Sequence, residues 1–142
     1  MSSRANDPAA DSAASAPPAW RPLPPRLRRV AGVLIEKAKT TPAAYPLTLN
    51  ALRTGCNQKS NRDPEMQLGD EQVIEAVDRL REMGAVVEVH DSGRVPKVRH
   101  RLYDWLGVDK VEIAVLAELL LRGAQTVGEL RSRSARMEPL AD

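Results

Sequence analysis

TTPAAYPLTLNALRTGCNQKSNRDPEMQLGDEQVIEAVDRLREMG, residues 40–84, is the stretch on which the fold turns. Pro46 leads into a helix for which Thr48 is the N-cap, its hydroxyl placed to accept an otherwise unpaired backbone N–H. Leu49, Leu52 and Cys56 line one face of that helix, which ends near Asn57. The polar run at 57–69 holds Pro64 and several side chains that close local turns. A further helix is predicted from Asp70 to Met83, with Val73, Val77 and Leu80 inward. Gly69 or Asp70 caps it, and Gly84 stops it.

Upstream, Leu27, Val30, Ala31, Leu34 and Ala38 recur at helical spacing, with Arg28, Arg29, Glu36 and Lys37 at other positions. This helix runs from Arg26 to about Thr40, because Pro42 disfavours helical geometry in the residue before it. Downstream lie two β-type runs, Val86 to His90 and Val95 to Leu102, separated by Asp-Ser-Gly-Arg. In the second run Val98, His100 and Leu102 share one face, while Lys97, Arg99 and Arg101 share the other. Pro96 suits an edge or a strand start, and a turn about Ser92-Gly93 sets His90 opposite Val95. Three helices followed by a hairpin are the order of a winged helix-turn-helix, a mainly α, α+β fold, assigned to 26–105.

Beyond Trp105 a helix is expected to bury Val108, Val111, Val115 and Leu119, with Leu116 beside them, and to end at Arg122-Gly123. Thr126 then caps another helix carrying Val127, Leu130 and Met137. Residues 108–142 thus read as the first two helices of a second, truncated winged helix. Residues 1–25 are rich in Pro, Ala and Ser, carry too little apolar surface to offset ordering, and are expected to be a disordered tail in which Trp20 is incidental.

The totals narrow the class. Apolar residues make up 42% of the 142, yet there is no Phe and aromatics are 3%, so the core must be aliphatic. A formal charge of +2 does not mark a nucleic-acid binder, and any electrostatic argument has to be local. One cysteine forms no intrachain disulfide, and no apolar run has the length of a membrane span. A cytoplasmic protein with no membrane partner is expected.

The runs TTPAAYPLTLNALRTGCNQKSNRDP (40–64) and LLLRGAQTVGELRSRSARM (119–137) resemble the YceH family of bacterial proteins. The likeness spans roughly Leu27 to Met137 and implies two winged helices in tandem within a longer protein. It carries no reaction, cofactor or ligand. Gly69-Asp70 stands where the family's pattern suggests Ser-Glu at the cap.

For function, the predicted third helix carries Asp70, Glu71, Glu75, Asp78 and Glu82 against Arg79 and Arg81. Carboxylates at its leading end repel phosphates, although acids there also answer the helix dipole. Between Gly93 and Tyr103, by contrast, stand Arg94, Lys97, Arg99 and Arg101 with no acid. That strip could hold phosphates, or simply guard a sheet edge with charge. Lys59 and Arg62, in the polar connection, complete the candidate nucleic-acid contacts. The structural reading, placed ahead of that one, is that the same two residues answer Asp63 and Glu65. Cys56 sits on an apolar face as a small core residue, and His90 and His100 lack the spacing of a metal site. No catalytic, metal or cofactor constellation is found, so a non-enzyme is expected. The expected role is a DNA-binding or transcription-associated winged helix contacting the DNA backbone. The alternative is a scaffold that dimerises or docks another protein without nucleic acid.

Overall fold

The structure is a computed structural model that describes residues 19–90 and 95–139. Its first helix, α1 (Pro25–Thr40), starts where Pro25 fits the first turn without needing an N–H donor. A 3-10 turn at Pro42–Ala44 follows, then a two-residue strand β1 (Leu47–Thr48) and α2 (Leu49–Cys56). The hydroxyl of Thr48 accepts the Ala51 N–H at 3.1 Å, as the sequence required. α3 spans Asp70–Glu82. Its N-cap is Gly69, whose own N–H donates to the Gln72 side chain at 3.0 Å. Gly84, at φ +83°, turns the chain into β2 (Val86–Val89). β3 (Lys97–His100), α4 (Leu102–Leu106), α5 (Lys110–Arg122) and α6 (Val127–Ser134) complete the described elements.

The three strands form one antiparallel sheet in the order β1-β3-β2. Leu47 lies opposite Val98 and Val89 opposite Lys97. This corrects the sequence reading in three ways. The hairpin gains a third strand, so β3 is central rather than an edge. Its register is offset by one residue from the pairing of His90 with Val95. And the strand ends at His100, because Leu102 opens the short helix α4 instead of continuing the run.

Val73, Val77 and Leu80 of α3, Leu52 and Cys56 of α2, Val86 and Val98 of the sheet, and α1's Leu27, Val30 and Leu34 are all buried together. Ile113, Ala114, Ala117 and Leu121 of α5 belong to the same core, packed on the other side of α1. With α5 against it, α1 has no solvated face over its middle two turns. It is buried from Arg29 to Glu36 without interruption, so Arg29 and Glu36, which the helical spacing set apart from the apolar face, are interior residues. Gly32 and Gly55 permit the close approaches. A Cβ on Gly32 would meet Leu121 at 2.9 Å, and one on Gly55 would meet Val33 at 2.7 Å.

The buried stripe of α5 is also corrected. Val111 is 38% exposed, and Val115, Leu116 and Leu119 are not the residues that fill the core. The core takes the Ile113–Ala117–Leu121 face together with Glu118. The α5 sequence is apolar almost all the way round, so its spacing cannot say which face turns inward. No helix among the described residues is long and apolar enough to cross a membrane.

Candidate functional site

Two surfaces and two inner clusters carry the chemistry of the described residues. On α3 the inward positions 73, 76, 77 and 80 leave Asp70, Glu71, Ile74, Glu75, Arg79, Arg81 and Glu82 to the outer side, with Asp78 half-buried. Two of the acids are answered locally: Arg53 of α2 meets Asp70 at 2.9 Å, and Arg81 meets Asp78 at 3.1 Å. Glu71, Glu75 and Glu82 have no ion pair among the described residues. Ile74, 41% exposed, stands among these carboxylates beside a shallow depression of about 170 Å³ lined by Leu49, Asn50, Asp70, Val73 and Ile74. The solvent side of α3 thus presents an acidic surface with an aliphatic centre.

The second surface is the sheet face turned from the core. Lys97 and Arg99 alternate with the buried Val98 and lie opposite Val89 and Val87, so their stems cover aliphatic side chains while their charges reach solvent. Arg101 lies past the end of β3 and is exposed, with Asp104 4.0 Å away. The sheet therefore aligns two of the expected cations, and Arg101 flanks them from the start of α4. Arg94 lies outside the described residues. Lys59 is exposed in the connection and makes no ion pair among the described residues.

The inner side of the sheet holds a small polar cluster that the sequence did not signal. The backbone N–H of His100 donates to the Tyr45 hydroxyl at 2.7 Å, and the His100 Nδ1 accepts the Leu102 N–H at 3.0 Å. The Tyr45 and Tyr103 rings lie 6.0 and 5.9 Å from the His100 ring. Burial, with the charges of Lys39 and Arg99 nearby, lowers the His100 pKa to about 4, and burial pushes the Tyr45 phenol up to about 12. His100 is therefore a neutral structural acceptor near pH 7. Cys56 is fully buried and its thiol is pushed up to about 12 by burial, so it is a core residue, as its helix face implied.

Arg62 is the clearest correction among the candidate contacts. It is buried in the interior, not presented on the connection's surface. Its guanidinium donates to Glu36 Oε1 at 2.6 Å and Oε2 at 3.0 Å, and its Nε donates to the Gly55 carbonyl at 3.0 Å. A guanidinium so committed has no direction left for a phosphate. Arg136, beyond α6, joins the cluster at 2.6 Å from both Glu36 and Glu118, two carboxylates with no solvent exposure. Burial alone would raise the Glu36 carboxyl, but the hydrogen bonds and charges of Arg62 and Arg136 outweigh it and hold it below its usual range. The only sequence signals for this cluster were charged letters inside two apolar helices, Glu36 in α1 and Glu118 in α5.

These features define a small α+β domain in which charged side chains are divided between a closed interior cluster and two outer faces of opposite sign. The sequence comparisons give that class its family. Residues 23–142 match the family described as "Protein of unknown function, DUF480". UPF0502 proteins are similar throughout. One from Rhodopirellula baltica is 53% identical over 134 residues, 94% of this chain and 55% of the relative. One from Geobacter sulfurreducens is 56% identical over 114 residues, 80% and 52% of the two chains, and one from Cupriavidus taiwanensis is 46% identical over 137, 96% and 56%. The chain belongs to this YceH-like bacterial family. It spans about half the length of the curated relatives it matches.

Proposed function

We propose that the chain is a winged helix used as a protein-docking module, with the exposed face of α3 receiving a basic, partly apolar segment of another polypeptide. The order α1, β1, α2, α3, β2, β3, with β1 closing on β3, supports the winged-helix reading. The single observation that carries the docking role is the composition of α3's solvent face: Glu71, Glu75 and Glu82, without ion pairs among the described residues, around the exposed Ile74. In a duplex groove those carboxylates would oppose phosphates. Against a basic segment they steer association, while Ile74 and its depression provide apolar contact. We further propose that 108–139 opens a second unit of the same kind, whose interior would take up Val111, Val115 and the 79%-exposed Val127.

DNA-backbone binding is a second reading, supported by the position of Lys97 and Arg99 on one sheet face with Arg101 beside them. The two separate in one titration at low salt. A Lys/Arg-rich amphipathic peptide and a mixed-sequence duplex are each titrated against the protein. The docking reading expects the peptide to bind and the duplex not to. Ile74→Ala with Glu75→Gln should weaken the peptide about tenfold, roughly 1.4 kcal/mol. Duplex binding that vanishes when Lys97, Arg99 and Arg101 are changed to Ala would overturn it in favour of DNA.

A further inference from the structure

The interior cluster contains an ion pair, Arg122 with Glu118, that lacks a hydrogen bond. Glu118 Oε1 is buried and accepts no hydrogen bond, and the buried Nε of Arg122, one turn along the same helix, donates none. The two atoms stand 3.4 Å apart. Each residue is meanwhile engaged elsewhere. Glu118 Oε2 receives two hydrogen bonds from Arg136, at 2.6 and 3.0 Å, and Arg122 Nη2 donates to the Asn61 side chain at 2.6 Å. Asn61 belongs to the 57–69 connection, which is also tied to α5 by the Asp63 N–H on the Leu121 carbonyl at 3.0 Å. Asn61 has φ +60°, a conformation that a side-chain bond helps to hold.

From this arrangement we infer that the stretch Ser134–Glu138 is a releasable clasp and that Arg122 is a two-position relay between it and the connection entering α3. With the clasp closed, Arg136 serves Glu36 and Glu118 and leaves Arg122 to hold Asn61. With the clasp open, Glu118 is a buried carboxylate without its principal cation, a strongly unfavourable state if left uncompensated. Arg122, already ion-paired with Glu118 at 3.4 Å from i+4 on the same helix, is the cation that can close to a hydrogen bond. When it turns to Glu118 it leaves Asn61, and the connection loses one of its two ties to α5. Met137, buried against the core, and Glu138, paired with Lys39 at 2.8 Å and near Lys110 at 3.8 Å, are the clasp's other fastenings. Anything that engages this stretch is therefore felt at the entry to α3. The device is independent of what α3 binds.

Cys56 supplies a native probe, because Arg62 of the connection is tied next to it: Arg62 Nε bonds the Gly55 carbonyl, and its charge, with that of Arg29, acts on the thiol. The experiment measures thiol-labelling rates of the folded chain together with amide exchange. Arg136→Gln should raise the Cys56 labelling rate at least about tenfold, equivalent to 1.4 kcal/mol of local opening. Exchange should rise at 57–69 while β2 and β3 stay protected. Asn61→Ala should accelerate labelling in the wild-type background and change nothing in the Arg136→Gln background, where the Arg122–Asn61 bond is already lost. Additive effects of the two substitutions overturn the relay. An Arg136→Gln protein that labels at the wild-type rate, or loses protection uniformly across all elements, overturns the clasp. Should Arg136→Gln not fold, Glu138→Gln, which frees the same stretch from Lys39, faces the same criteria.

Discussion

A guanidinium and a thiol a few residues apart show how little a residue's type says before its neighbours are known. Arg62 and Cys56 both end up inside, one because Glu36 awaits it and the other because an apolar helix face carries it there. The buried thiol, pushed up to about 12, should resist alkylation at pH 8 in the native chain and react at the ordinary rate in denaturant, as thiol titration would show. His100 gives a pH prediction with a definite sign. Its folded pKa, about 4, lies below its ordinary value of 6.5, so the folded state binds the proton less well. The stability it contributes is complete above pH 6.5 and declines as the pH falls through 4. Chemical denaturation between pH 7 and 4 should show this fall, and His100→Gln should flatten it. Glu36, also lowered when folded, adds a second loss at pH values below its ordinary 4.5. Both predictions rest on contacts that a linear sequence does not print. His100's place opposite the Tyr45 region of the chain depends on β1, a strand of two residues that no pattern could reveal.

Helices differed in how openly they announced themselves. α2 and α3 were legible because each has a polar face, a cap residue and a stop, and their buried positions fell where the spacing placed them. α1 was legible as a helix and in its apolar face, since Leu27, Val30, Ala31 and Leu34 are buried, but not in its second covered side; α5 was legible as a helix but not in its orientation. Arg29, Glu36 and Glu118 were not among the apolar positions that the spacing picked out. They are interior because α1 is covered on two sides and the charges find partners there. The correction to α5 is testable by paired substitutions. Ile113→Ala should cost about 2–5 kcal/mol of unfolding free energy, while Val111→Ala on the outer side should cost well under about 1.5 kcal/mol. Gly32→Val should destabilise by about 1–3 kcal/mol, since α5 has no room to retreat from α1 while Leu121 remains packed. Calorimetry or denaturant titration of the three variants would decide the packing. Equal costs at positions 111 and 113 would contradict it.

Across the whole molecule, a nearly neutral chain separates its charges by location. Cations lie along β3 and just beyond it, acids without ion pairs among the described residues lie on α3, and the interior pairs others across α1, α5 and the 57–69 connection. The two outer faces were readable from sequence because strand alternation and helical spacing sort charged letters reliably when one side of an element is buried. The interior cluster was not, because its members come from residues 36, 62, 118 and 136, and only the fold brings those together. The proposed function rests on the outer faces. The most direct measurement is an amide chemical-shift map of the labelled protein titrated at low salt with the basic amphipathic peptide and, separately, with mixed-sequence duplex. The docking account predicts shifts concentrated at 70–82 with the peptide and none with duplex. Shifts confined to 97–101 on adding duplex, with α3 silent towards the peptide, would contradict it.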